Sequence, residues 1–167
     1  MQPDSQPSAN ESHPAPDWLG TAGPQLKYLY AYWSKRRHDR RLPRRADIDP
    51  VDIPRLLPNL MLVEVVPDVR RPNGVDYVYR LVGTREVELR GNDPTGKSVA
   101  EAFYGPSPED ALSWYDRTVE SRQPQYDGRP YLATNGRWMS DETLFLPLSD
   151  DGEVVNRVMV FAAVSRR

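Results

Sequence analysis

No cysteine occurs anywhere in this chain. Disulfides, thiolate-bound metals and cysteine nucleophiles are therefore excluded, as is any chromophore or flavin held through a thiol bond. Histidine is nearly as scarce, with only His13 and His38 present. Neither lies where a core is predicted, so a haem with a histidine axial ligand and a Ser–His–Asp centre both lack their essential group. No apolar run reaches the length of a membrane span, and the start of the chain has neither the basic residues nor the apolar stretch of a secretory signal. A cytoplasmic location is expected. The formal net charge of −2 argues against nucleic-acid binding by the domain as a whole.

Apolar residues are also in short supply, at 38% of 167. The deficit lies in residues 1–24, rich in Pro, Ser, Asn, Asp and Gly. Such a segment buries too little surface to offset its ordering entropy, so it reads as a disordered tail. Residues 25–45 read as an amphipathic helix followed by a basic connector, and 46–167 as one domain. In the helix, Gln25–Arg37, the residues Leu26, Leu29, Tyr30 and Trp33 share one face. That stripe needs a partner surface, either the rest of the domain or a second copy of the chain. It is the candidate interface, and a homodimer is expected.

The connector carries Lys35, Arg36, Arg37, Arg40, Arg41, Arg44 and Arg45. It lacks interleaved aromatics on which bases could stack, and reads as a solvated helix end. Asp47, Asp49 and Asp52 lack the glycine and glutamate of a calcium loop; Asp49 before Pro50 reads instead as a helix cap.

Strands are predicted over Leu60–Val66, Asp76–Val82, Gln125–Thr134, Arg137–Leu148 and Val154–Val164. Asn73-Gly74, Asn135-Gly136 and Asp151-Gly152 supply the turns, the last two as tight hairpins. Pro147 implies a bulge or an edge position. Between the two β groups fall short helices at Thr84–Leu89 and Lys97–Phe103. A longer one is capped by Ser107-Pro108 and runs to about Ser121, with Ala111, Leu112, Tyr115 and Val119 on its apolar face. Hairpin-linked strands with helices set between them describe an α+β domain.

Gly91-Asn92-Asp93-Pro94-Thr95-Gly96-Lys97-Ser98 matches a phosphate-loop pattern letter by letter. Pro94 has no N–H to offer phosphate, Asp93 would repel it, and no strand leads directly into the loop. A turn between two short helices is the simpler reading; a nucleotide-binding enzyme is a distant third hypothesis. Asp116 and Glu120, at i and i+4, read as a solvated face rather than an acid–base pair. Tyr77, Tyr79 and Leu81 fall on one side of their strand, and with Tyr115 and Trp138 they form the candidate lining of a small-molecule pocket.

Several strings resemble the PAS domain family, in particular its short bacterial single-domain members. They are Arg45-Ala46-Asp47-Ile48-Asp49-Pro50, Ile53-Pro54-Arg55-Leu56-Leu57-Pro58-Asn59 and Tyr79-Arg80-Leu81-Val82-Gly83-Thr84. Gly91 to Lys97 and Leu146-Pro147-Leu148-Ser149-Asp150-Asp151-Gly152 add to them. The resemblance implies a five-stranded antiparallel sheet in the order 2-1-5-4-3, with the middle helices cupped over one face. Any ligand would sit inside the cup, and the leading helix would pack on the other face or on a second subunit. The expected function is a sensory module, not an enzyme, that takes an unidentified small molecule and signals to an unidentified protein. The alternative is a docking or dimerisation module with a filled core. Neither haem nor covalent flavin is expected as cofactor.

Overall fold

A computed structural model of the chain describes residues 14–105, 107–132, 136 and 138–166, without the side chains of 131–132, 138–140 and 164–166. The described residues include six strands: β1 Leu60–Pro67, β2 Val75–Val82, β3 Gln125–Asp127, β4 Tyr131–Leu132, β5 Trp138–Leu148 and β6 Arg157–Arg166. All pairings are antiparallel, in the order β2-β1-β6-β5-β3, with β4 also on β5. β3 and β4 occupy the single strand predicted over Gln125–Thr134, interrupted at Gly128-Arg129-Pro130. Counted as one, they give the 2-1-5-4-3 order that the resemblance implies.

The helices are α1 Pro24–Arg36, α2 Thr84–Arg90, α3 Val99–Ala102 and α4 Pro108–Ser121. Local chemistry sets their ends. Ser107 accepts from the Asp110 amide and Ser98 from the Glu101 amide, satisfying amides that a helix start leaves free. Gly91 ends α2 at φ +75°, a conformation that favours glycine. Ser98 as cap makes α3 shorter than the predicted Lys97–Phe103. Asp49 does act as a cap, but of a 3-10 turn, Pro50–Asp52.

Side-chain alternation makes the sheet apolar on both faces. Tyr77 and Tyr79 pair with Val65 and Val63; Val63 in turn pairs with Val158, and Phe145 with Val160. This face lies under α4, whose Tyr115 packs on Tyr77 and Phe145 at ring-centroid distances of 5.0 and 5.2 Å. The other face presents Leu144, Leu146, Leu148, Met159 and Phe161, all buried.

α1 covers that second face in cis. Leu26, Leu29 and Trp33 are buried, and the Trp33 indole donates to the Pro147 carbonyl at 2.9 Å. Tyr30 packs between Trp18 and Trp33. Leu26, Leu29 and Trp33 of the stripe read as a candidate interface are thus covered by the chain's own sheet, and Tyr30 is partly buried. The expected tail, residues 1–24, is described only from residue 14 onward. Residues 1–13 lie outside the described residues, but Asp17–Gly20 form a 3-10 turn and Trp18 stacks on Tyr126 at 5.2 Å.

One turn expectation changes. Asp151-Gly152 is not a two-residue hairpin, and β6 starts at Arg157 rather than Val154. The Asp151 carboxylate accepts from the amides of Glu153 and Val154, and the Ser149 hydroxyl accepts from the Gly152 amide, so side chains stabilise a wider loop. The Asn135-Gly136 turn rests on Asn135, outside the described residues. Pro147 causes no bulge: it pairs with Val158, beyond the last β3–β5 pair at Gln125–Phe145. Locally it stands on an edge, as a residue without an N–H requires.

Gly83 joins β2 to α2 where a 3-10 turn, Leu57–Asn59, crosses them. A Cβ there would meet the carbonyl oxygens of Leu57 and Pro58 at 2.3 Å each. Gly83→Ala therefore forces backbone apart and is expected to cost about 2 kcal/mol. Urea unfolding checks this; an unchanged midpoint would contradict the close approach.

Candidate functional site: the cup over the sheet

α2, α3 and α4 close over the Tyr77–Tyr79 face, and the enclosed interior has two unlike halves. One is aromatic. Tyr77, Tyr115 and Phe145 pack against each other, with Tyr77 and Tyr115 at most 3% exposed. The Tyr77 hydroxyl donates to Asp116, which also accepts from the Asn73 side chain at 2.7 Å. Burial, then this carboxylate, pushes the Tyr77 hydroxyl far above its ordinary range. Asp116, expected on a solvated face, thus ties α4 to the β1–β2 loop.

The other half is charged. Glu86 and Arg90, one turn apart on α2, form a salt bridge at 2.7 Å, with side chains only 6% and 5% exposed. The Arg90 guanidinium lies over the rings of Tyr79 and Tyr104, and also reaches the Met61 sulfur at 3.5 Å. Two polar atoms of the pair, Glu86 Oε1 and Arg90 Nε, are buried without a hydrogen-bond partner among the described residues. Unpaired polar atoms in a buried site are costly unless something fills the gap. Burial pushes the Glu86 carboxyl up, against the pull of Arg90.

Asp141 on β5 joins them. It shares the parity of Thr143 and Phe145 and so points to the cup. Burial first, then the Glu86 charge, pushes its carboxyl up to about 7. The next residue, Glu142, faces the opposite side. It accepts from the Gly23 amide at the start of α1 (2.9 Å) and from the Tyr126 hydroxyl (2.7 Å). Adjacent residues of one strand therefore touch the cup and the N-terminal layer.

Of the five candidate pocket residues, the structure brings Tyr77, Tyr79 and Tyr115 together. The Trp138 side chain lies outside the described residues. Leu81 is a correction. Leu62 pairs with Leu81 but Val63 pairs with Tyr79, leaving Arg80 as an extra residue in β2. Such a bulge flips everything beyond it to the other face. Leu81 accordingly points away from the cup and is 56% exposed.

The segment Gly91–Ser98 spends its backbone on β2. The Gly96 amide donates to the Tyr79 carbonyl (2.7 Å), the Lys97 carbonyl accepts from the Tyr79 amide (3.0 Å), and the Lys97 amide donates to Pro94. Asp93 accepts from the Thr95 amide and hydroxyl. The basic connector is likewise engaged: Arg36 pairs with Asp52, and Arg40 and Arg44 pair with Asp47.

A family model described as PAS domain matches residues 22–161. No curated protein matches the chain in sequence. Among solved structures, one from a study of a flavin analogue in a light-oxygen-voltage domain is 11% identical, with 70% of this chain and 84% of that chain covered and a TM-score of 0.48. The LOV domain of a blue-light-activated histidine kinase from Erythrobacter litoralis is 10% identical, over 65% and 95% of the two chains, at 0.43. The PAS domain of an HTR-like protein from Haloarcula marismortui is 19% identical, over 69% and 90%, at 0.39.

Two outcomes follow from the charged half. Between about pH 4 and 7 the folded chain keeps a proton on Asp141 that the unfolded chain loses. Stability should therefore fall as pH rises through that window and level off above it. Asp141→Asn removes this slope, so the variant should gain on the parent at pH 8 and match it near pH 4, read by urea unfolding at both values. Parallel profiles would refute the buried carboxyl. Arg90→Met leaves Glu86 buried and unpaired, and should cost about 3 kcal/mol. A second change, Glu86→Leu, should recover part of that loss; further loss from the double variant would contradict the pairing.

Proposed function

The chain belongs to the PAS domain family, and from that premise we propose a non-enzymatic sensory module that binds a small polar molecule in the charged half of its cup. The carrying observation is the unpaired couple inside it, Arg90 Nε as donor and Glu86 Oε1 as acceptor. A molecule offering one acceptor and one donor, such as an amide or an undissociated acid, complements both. Tyr79 and Tyr104 supply flat faces against the Arg90 guanidinium. The aromatic half is already filled by side chains, which limits the ligand to a few heavy atoms.

Signalling follows by population shift: a ligand that binds one arrangement of α2 and β5 better than another moves the balance between them. In this reading the signal leaves through a protein interface, to a second copy of the chain or to a separate signalling protein in the cytoplasm. Among the described residues no helix is long and apolar enough to cross a membrane. The filled aromatic half, Tyr77 and Tyr115 against Phe145, favours a second reading, a docking module that needs no ligand.

NMR titration with acetamide, acetic acid at low pH and urea separates the two readings. The sensory reading expects saturable shifts of the Tyr79 and Tyr115 ring signals with at least one of them, weakened about tenfold or more by Glu86→Gln. No saturable shift from any of the three would leave the docking module as the account.

A further inference from the structure

The face of the sheet away from the cup is not covered evenly. α1 lies over the β5 side, while the β1–β2 side is bordered by 3-10 turns at Arg45–Asp47, Pro50–Asp52 and Leu57–Asn59. Between these turns and the sheet a cavity of about 190 Å³ remains, open to solvent. Ile48, Ile53, Leu57, Leu62, Leu81 and Met159 are among the residues that line it. Leu81 is at its mouth because of the bulge at Arg80. Leu81 and Leu57 stay 56% and 37% exposed, and covering apolar side chains of this kind is favourable.

One charged side chain lines the cavity: Arg45. Its neighbours Arg36, Arg40 and Arg44 each pair with an aspartate. Arg45 forms no salt bridge among the described residues; one guanidinium nitrogen donates to the Ile48 carbonyl at 3.0 Å. Asp150, which the Arg45 backbone amide approaches, is paired with Arg157 at 2.9 Å. A half-buried guanidinium with free donors thus stands beside an apolar hollow. Guanidinium matches a carboxylate with two parallel hydrogen bonds, and the hollow matches a hydrocarbon chain.

We infer that this outer cavity is a second ligand site, for a short amphipathic monocarboxylate whose chain enters the cavity and whose carboxylate meets Arg45. Size sets the chain length. Apolar cavities of about 150 Å³ admit one benzene, so a chain of about six carbons fits. Covering five CH₂ and CH₃ groups and making one charged contact, set against association costs, gives a dissociation constant on the order of 10 mM. Met61 borders both this cavity and Arg90, but neither Glu86 nor Arg90 lines the cavity, and the inference stands whether or not the cup takes a ligand.

Hexanoate, hexanol and hexylamine are titrated into protein carrying ¹³C-methyl methionine, with the Met159 signal as local reporter. Hexanoate is expected to shift it saturably, with hexanol and hexylamine weaker by about tenfold or more. Arg45→Gln should weaken hexanoate by a similar factor and leave hexanol unchanged, and Leu81→Ser should weaken both. These side chains are at or near the surface, and unchanged thermal unfolding of each variant shows that the fold is kept. No saturable Met159 shift at tens of millimolar hexanoate overturns the inference. Equal affinity for hexanol and hexanoate, or hexanoate binding unmoved by either substitution, overturns it as well.

Discussion

A sheet without a polar face is the constraint from which the rest of this structure follows. β5 carries Phe145 toward one side and Leu144, Leu146 and Leu148 toward the other, and β6 repeats the pattern with Val158 and Val160 against Met159 and Phe161. Either side left in water would forfeit several buried side chains at roughly 1.5–3 kcal/mol each. Two covering layers are therefore obligatory in a single short chain. α2, α3 and α4 supply one; α1, the connector and the 3-10 turns supply the other. The second layer is thin and made of short pieces, so it leaves a hollow where α1 does not reach.

Covering both faces also couples them. Asp141 and Glu142 are consecutive on β5, one turned to the cup and the other holding the Gly23 amide at the start of α1. A change of charge or contact at Asp141 acts on the same strand segment that fixes the N-terminal layer. The Trp33–Pro147 bond fixes the other end of that layer to the same strand. The strand is thus a common floor for both layers.

Much of this was legible in the residues. Helical spacing in Leu26, Leu29 and Trp33 marked a face that must be covered, and the alternation of Tyr77 and Tyr79 marked a cup wall. Ser107-Pro108 marked a helix start by capping chemistry that needs no tertiary information. What could not be read has physical reasons. The bulge at Arg80 breaks strand parity without a glycine or proline to announce it, so Leu81 was assigned to the wrong face. Glu86 and Arg90 look like an ordinary exposed i, i+4 pair; only burial beside Tyr79, Tyr104 and Met61 makes them special. Asp141 is one acid among many until the strand register turns it inward. The amphipathic stripe of α1 showed that a partner surface exists, but not whether it belongs to the same chain.

The central claim is that the N-terminal layer is part of the core and not a detachable arm. Hydrogen exchange of the Trp33 indole N–H, compared with the backbone amides of β5 and β6, tests it most directly. If α1 completes the core, the indole exchanges only through global unfolding, with the same opening free energy and denaturant dependence as the central strands. Exchange through a local opening, several kcal/mol easier than that of β5, would show α1 leaving an intact sheet and contradict the account.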